Sequence, residues 1–421
     1  MTNSKFAVFL ASLLMFSACT ESDGPDSPVA EVLDVQVSGE PEETAVYRAI
    51  AAAYERDFPG ARINLIEIAD KDDHLARLST AFAGRRPPDV FLVNYREYAQ
   101  FVNLGAVEPV GDRLELDLDA YFPQPLEAFT FEGELQCMPQ NVSSLVVYYN
   151  RALFKTAGLR HPQPDWTWED FRDYALKLTS GEVRGLGIEP NVIRIAPFVW
   201  SNGGELTDDP DSPTRFTLDD PPAREALEFV VSLVREDEVV PTEPEVAAQD
   251  LEQRFVAGKL GMLLSSRRET PAFREVQGLD WDVASLPIAP GGRPAGILHS
   301  DAYCIASQSD SIEAALEFVA YATGEKGETI AALGGRTVPS LQSIANSPAF
   351  LDPTQPPRHA RVFLDGVPTI RRIPVIVTWP EIEELSEEIL TRAFYEPDYT
   401  IDDALRELDE ATRPLFEEAS R

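Results

Sequence analysis

Residues 62–93 read RINLIEIADKDDHLARLSTAFAGRRPPDVFLV. Arg62 to Ile68 has the alternation of a strand, Asp72 to Ala83 reads as a helix, and Asp89 to Val93 is a wholly apolar strand. Apolar strands separated by helices predict a parallel sheet covered on both faces. The same rhythm continues outward in both directions. Upstream, Leu33 to Ser38 alternates as a strand, and Glu42 to Phe58 places Val46, Ile50, Ala53 and Tyr54 on one helical face before Pro59-Gly60 stops it. Downstream, another helix runs to about Leu104.

Near residue 131 the pattern changes. FEGELQCMP is a short strand with a Gly turn, and Asn141 to Asn150 (NVSSLVVYYN) follows it. A more helical part comes next. Thr167 and Asp170 have capping-box spacing, and Asp220-Pro221 reads as an N-cap followed by Pro at the first helical position. Leu260 to Ser265 is another buried strand, residues 287–296 are a Pro/Gly-rich connection, and 302–306 and 312–323 restore strand and helix. The tail, 381–396 and 401–419, is helical and acidic.

The chain has 421 residues, 36 Lys+Arg, 71 Asp+Glu and a formal net charge of −35. That charge argues against nucleic-acid binding and against electrostatic docking on anionic lipid. At the N-terminus, Phe6 to Phe16 is an apolar run too short to span a bilayer and suited to a secretory signal. It ends in Phe16-Ser17-Ala18-Cys19, which resembles a bacterial lipobox with Phe in place of the usual Leu. The expectation is a signal peptide over 1–18, lipidation at Cys19 and a polar tether over 19–30. Cys137 and Cys304 sit in short apolar stretches and read as two buried free thiols.

The four histidines have no zinc spacing, so no metal and no cofactor are expected. No GxSxG elbow, P-loop or GxGxxG appears, and acids are too abundant for a pair to mark a glycosidase. Asp70-Lys71-Asp72-Asp73 lacks the Gly and closing Glu of a calcium loop and reads as a solvated helix start. Gly334-Gly335-Arg336 reads as a helix C-cap turn.

Six segments, in one order along nearly the whole chain, resemble the extracellular solute-binding proteins of ATP-binding-cassette importers, in the maltose-binding-protein-like carbohydrate group. They are Phe82 to Asn94 (FAGRRPPDVFLVN), Val147 to Gly158 (VYYNRALFKTAG), Pro164 to Leu178, Trp200 to Glu205 (WSNGGE), Phe255 to Leu264 (FVAGKLGMLL), and Ala314 to Thr323 with Glu325 to Ala332. The resemblance implies a periplasmic-binding-protein-like α/β fold of two discontinuous lobes joined by a hinge. Lobe one would be 31–138 plus 290–340, and lobe two 139–289 plus 341–421. The implied activity is capture of a carbohydrate, an acidic sugar among the candidates, and its delivery to the transmembrane subunits of a permease. No residue need be catalytic, and the protein would be a monomer held to the membrane only by its lipid. A polyamine or metal-ion binder on the same scaffold is the alternative.

Ligand contacts in such folds come from loops at the carboxyl ends of strands. This places Asn94 and Tyr95, Glu40 and Glu42, Asn141 and Ser143, Trp200 and Asn202, Ser265 to Arg268, and His299 to Asp301 at the cleft. Trp379 stands at the family's C-terminal aromatic position. Where the family often has a stacking Trp after the FxxGkaAM strand, this chain has Ser266-Arg267-Arg268. The expectation is therefore that Trp379 stacks on a sugar ring and Arg268 pairs with an acidic group. Trp166, Trp168 and Trp281 read as packing residues.

Overall fold

A computed structural model of the chain describes residues 31–419. The expected signal peptide, tether and Cys19 lie outside the described residues. The first sheet has the order Ala61–Ile68, Glu31–Ser38, Val90–Asn94, Asp301–Ala306, Val107–Glu108, with Met138–Pro139 also on Asp301–Ala306. Its first three strands are parallel, as the βαβα reading requires, and Asp301–Ala306 runs antiparallel to Val90–Asn94. The first helix, Pro41–Asp57, has Pro at its start and buries Tyr47, Ile50, Ala53 and Tyr54 on the sheet. The second, Lys71–Ala83, is capped by the Asp70 carboxylate, which accepts from the Asp73 N–H at 2.9 Å.

The second sheet has the order Trp281–Ala284, Leu145–Asn150, Leu260–Ser266, Arg184–Gly187. Leu145–Asn150 is buried along its whole length, which explains its unbroken LVVYY run. Helix Trp168–Leu178 starts in the Thr167/Asp170 capping box. Trp168 stacks on Phe229 at 4.4 Å, and Trp166 and Trp281 are buried, so all three pack as read.

The chain passes between the sheets through Asn141–Ser144, through Gly296–Ser300 and near Pro339. Backbone bridges join Ser143 to His299 and Asn141 to Pro339. Two adjacent serines add to the stitching. Ser143 Oγ accepts from the Val338 N–H at 3.3 Å, and Ser144 Oγ accepts from the Ile297 N–H at 3.1 Å.

One expectation is corrected inside the first sheet. Cys137 and Cys304 form a disulfide, not two free thiols. Met138 pairs with Tyr303, so the register brings the two neighbouring cysteines to a Cα separation of 4.5 Å across 167 residues of sequence. Nothing local in either segment announces that pairing. Among the described residues no helix is long and apolar enough to cross a membrane.

Candidate functional site: the interlobe cleft

A cavity of about 330 Å³ opens where both sheets present their strand ends. Ser38 and Asn94 end two of the first sheet's parallel strands at the cavity, and Gly39, Glu40, Ala69, Lys71, Arg96 and Glu97 line it from the loops just after the three parallel strands. Ser266 and Arg268 follow Leu260–Ser266 of the second. Asn141, Ser143 and His299 come from the crossings. Gly39 has a φ of 151°, and a Cβ there would lie 2.5 Å from Glu43 Oε2. Glycine therefore lets Glu43 fold back over this loop.

Glu43 is the centre of one end. Its Oε1 accepts from the Tyr47 hydroxyl at 3.0 Å, and its Oε2 from Arg336 Nε at 2.9 Å. Burial pushes its carboxyl up to about 7; Arg336 opposes this, while nearby Asp301 and Glu40 add to it. Asp301 Oδ1 accepts from Asn94 Nδ2 at 3.0 Å, and the Asp301 N–H donates to Asn141 Oδ1 at 2.7 Å.

At the other end stand three cations. Lys71 pairs with Glu97, and Arg96 with Glu383. Arg268 donates from Nε to Glu269 at 2.6 Å and from Nη2 to Glu252 at 3.3 Å. His299 lies among them. Burial, then Arg96, Arg194, Arg268 and Lys71, depress its pKa well below the ordinary imidazole value, so it is neutral. Its Nε2 and the Glu97 Oε2 are buried without hydrogen-bond partners among the described residues. Such atoms carry a desolvation cost until something reaches them.

Of the residues expected at the cleft, Glu40, Asn94, Asn141, Ser143, Ser266, Arg268, His299 and Asp301 line it. Ser265, Arg267 and Ser300 are buried and do not line it, and five others do not either. Tyr95 is buried, its hydroxyl donating to the Leu298 carbonyl at 3.2 Å. Glu42 points to solvent on the first helical turn, and its neighbours Glu40 and Glu43 face the cavity instead. Asn202 ties two helices together, donating to the Pro222 carbonyl at 2.9 Å and to Glu225 at 3.0 Å. Trp200 is 2% exposed, with the Arg371 guanidinium 4.8 Å over its ring. Trp379 is 0% exposed and packs edge-on against Phe216. No ring face of Trp379 is open to a sugar. Its indole N–H instead donates to Glu383 Oε2 at 3.1 Å, and Glu383 in turn holds Arg96.

Sequence reading missed Glu43, Lys71, Arg96, Glu97 and Arg336. Arg96-Glu97 could have been found, because it directly follows Asn94-Tyr95 in the same loop. Arg336 could not. Gly335 is the left-handed helix C-cap that was expected, with a φ of 77°, but where the chain goes after it depends on tertiary packing.

Two α/β lobes with a polar cavity at their strand ends are the architecture of a solute-binding protein of the periplasmic type. The model of the bacterial extracellular solute-binding proteins matches residues 38–329, and the chain belongs to that family. Its fold is that of the maltose-binding-protein-like structures, and as a member of the solute-binding family it binds rather than catalyses. A binding protein of Brucella abortus (strain 2308) is 22% identical over 372 residues, covering 86% of this chain and 89% of that one. The ABC substrate-binding protein of Listeria monocytogenes in complex with cycloalternan superposes with a TM-score of 0.82 at 23% identity, over 91% of this chain and 98% of that one. UgpB of Mycobacterium tuberculosis in complex with glycerophosphocholine gives a TM-score of 0.80 at 20% identity, over 92% and 98%.

Proposed function

We propose that this chain is the lipid-anchored receptor of an importer and captures a carbohydrate-sized polyol by closing its lobes over the cleft. The observation that carries the reading is the convergence of Asn94, Asn141 and Asp301, from three separate segments, on one cavity. Amides and carboxylates of this kind bond hydroxyls, and closure would exclude water and strengthen those bonds. The moving bodies are proposed to be 31–138 with 290–340 and 139–289 with 341–421, turning on the crossings. Proteins similar in fold hold cycloalternan, maltose and glycerophosphocholine, which supports a polyol ligand. The polyamine and metal-ion alternatives are not favoured, because Lys71, Arg96 and Arg268 line the same cavity. Cys19 is the proposed anchor, and Cys19→Ser should move the protein to the soluble envelope fraction with its ligand affinity unchanged. The permease subunits and the monomeric state are inferred from the family.

Thermal-shift titration of the purified chain against neutral sugars, uronic acids, sugar phosphates, polyamines and metals tests the ligand class. A ligand at 100 times its Kd stabilises by about 2.7 kcal/mol. Stabilisation by polyamines or metals alone would overturn the carbohydrate reading.

A further inference from the structure

The cleft's charges form two groups that meet at Asn94, which donates to Asp301 at 3.0 Å and accepts from Arg96 Nε at 3.1 Å. Glu40, Glu43 and Asp301 stand around one cation, Arg336. Lys71, Arg96 and Arg268 surround His299, and among the described residues Glu97 is the one carboxylate that lines the cavity beside them. The carboxylates that hold Arg96 and Arg268 (Glu383, Glu269 and Glu252) stand behind the lining and are not part of it.

Both arginines are fixed, and each has a donor left over. Arg96 uses Nε on Asn94 and Nη1 on Glu383. Arg268 uses Nε on Glu269 and Nη2 on Glu252. Arg96 Nη2 and Arg268 Nη1 have no partner among the described residues. Arg96 follows a first-sheet strand and Arg268 a second-sheet strand, so an anion bonded to both would bridge the lobes. At the other end, Asp301 gives Oδ1 to Asn94 and keeps Oδ2 unpartnered among the described residues.

From this arrangement we propose that the cleft is built for a zwitterionic polyol. Its anionic group bridges Arg96 and Arg268, its ammonium is held by Asp301 and Glu43, and its hydroxyls meet Asn94 and Asn141. The proposal rests on the polyol-receptor reading above and adds the charges of the ligand. Among the described residues no Phe, Tyr or Trp lines the cavity. A quaternary ammonium relies on aromatic faces, so a primary ammonium fits better. The same chemistry occurs in an amino sugar acid and in a glycerophosphoethanolamine.

Calorimetric titration of the intact chain tests this with two matched series. One is muramic acid, N-acetylmuramic acid, glucosamine and glucose. The other is sn-glycero-3-phosphoethanolamine, sn-glycero-3-phosphocholine, sn-glycerol 3-phosphate and glycerol. The expected result is that the primary-amine zwitterion of one series binds at least tenfold tighter than every other member, and that series identifies the source. Arg268→Ala should erase its advantage over glucosamine or, in the glycerol series, weaken the zwitterion at least tenfold while leaving glycerol unchanged. Asp301→Asn, which keeps an acceptor for Asn94, should erase its advantage over the N-acetylated or amine-free compound. Both variants should keep the melting temperature and circular dichroism of a folded chain. If glucose or glycerol binds as tightly as the zwitterions, the charge proposal falls and the polyol reading stands. If the anions bind as tightly, the ammonium half falls. If no compound of either series binds, the proposal falls, and the broader sugar panel then judges the polyol reading separately.

Discussion

Ser143 and Ser144 are adjacent on one crossing strand, yet they line different cavities. Extended backbone turns successive side chains to opposite faces. Ser143 faces the charged cleft. Ser144 faces a cavity of about 550 Å³ walled by Leu145, Val146, Tyr149, Val283 and Phe363. The next pair of arginines divides in the same way. Arg268 lines the cleft. Arg267 is wholly buried, its guanidinium 5.0 Å from the Phe363 ring centre and 4.1 Å from that of Phe350. Burial pushes its pKa down to about 9, and none of its nitrogens has a hydrogen-bond partner among the described residues. One side of the hinge therefore carries charges held at set positions by other charges. The other carries packing. On the proposed reading, recognition belongs to the first side and rigidity to the second.

The largest expected effect tests the frame that holds the cleft side. The Cys137–Cys304 bond closes a loop of 167 residues. On the chain-entropy model, removing such a crosslink costs on the order of 5 kcal/mol. The double variant Cys137→Ala/Cys304→Ala should show that loss in urea denaturation. A loss below about 1 kcal/mol would mean that the first sheet does not depend on the bond.

Next in size is the apolar side. Phe363 lines the second cavity and covers Arg267, so Phe363→Ala removes both packing and a cation–π contact. A cost of about 3–5 kcal/mol is expected. Ligand affinity at the cleft should hold once the variant is folded. A tenfold loss of affinity would show that the two faces are not separable.

The legibility of the sequence followed the same division. The parallel strands and their helices could be read because each alternation is local, from Leu33 to Val93. The cleft loops could be placed because strand ends can be counted, which put Asn94 and Arg268 at the cleft, while the crossings between lobes put Asn141 and Asp301 there. Side-chain direction could not be counted. Trp379 and Trp200 looked like stacking residues by type and position, but whether an indole faces solvent depends on Phe216 or Arg371, far away in sequence. Glu42 missed the cavity by one residue, because the helix start turns Glu43 toward it and not its neighbour. The disulfide was hidden for the same reason, since its partners meet only through the Met138–Tyr303 register.

A third test uses pH. Glu43 has a folded pKa near 7 against an ordinary 4.5, because burial disfavours its charge. A raised acid contributes stability that is fully present below about pH 4.5 and lost as pH rises through 7. The full difference is about 3 kcal/mol. Glu43→Gln should flatten the fall in melting temperature between pH 5 and 8 that wild type shows. Arg336, Asp301, Glu40 and Tyr47 face this carboxyl and are left in place by the change. Parallel profiles for wild type and variant would remove Glu43 as the source. An ammonium ligand would prefer the ionised carboxylate, so its affinity should rise over the same pH range in wild type only.

The smallest effect is sought at the seam between the two cavities. Gly296 borders the apolar cavity, and a Cβ built on it would lie 2.8 Å from Ser144 Oγ. That approach is too close, so in Gly296→Ala the serine must rotate away. Rotation breaks its bond with the Ile297 N–H, for a loss of about 1 kcal/mol. Ser144→Ala loses the same bond without any clash. The double variant has no hydroxyl to displace, so it should cost about as much as either single change and less than their sum. A coupling of about 1 kcal/mol in the double-mutant cycle is the signature. Additive costs would place the penalty elsewhere, in strain on the Gly296–Ile297 strand against Ile370–Arg371, with which it pairs. Ser143 keeps its own bond to Val338 in every member of the cycle. Cleft affinity should therefore stay constant across the cycle, and if it changes in step with stability, the two faces of this strand act as one hinge.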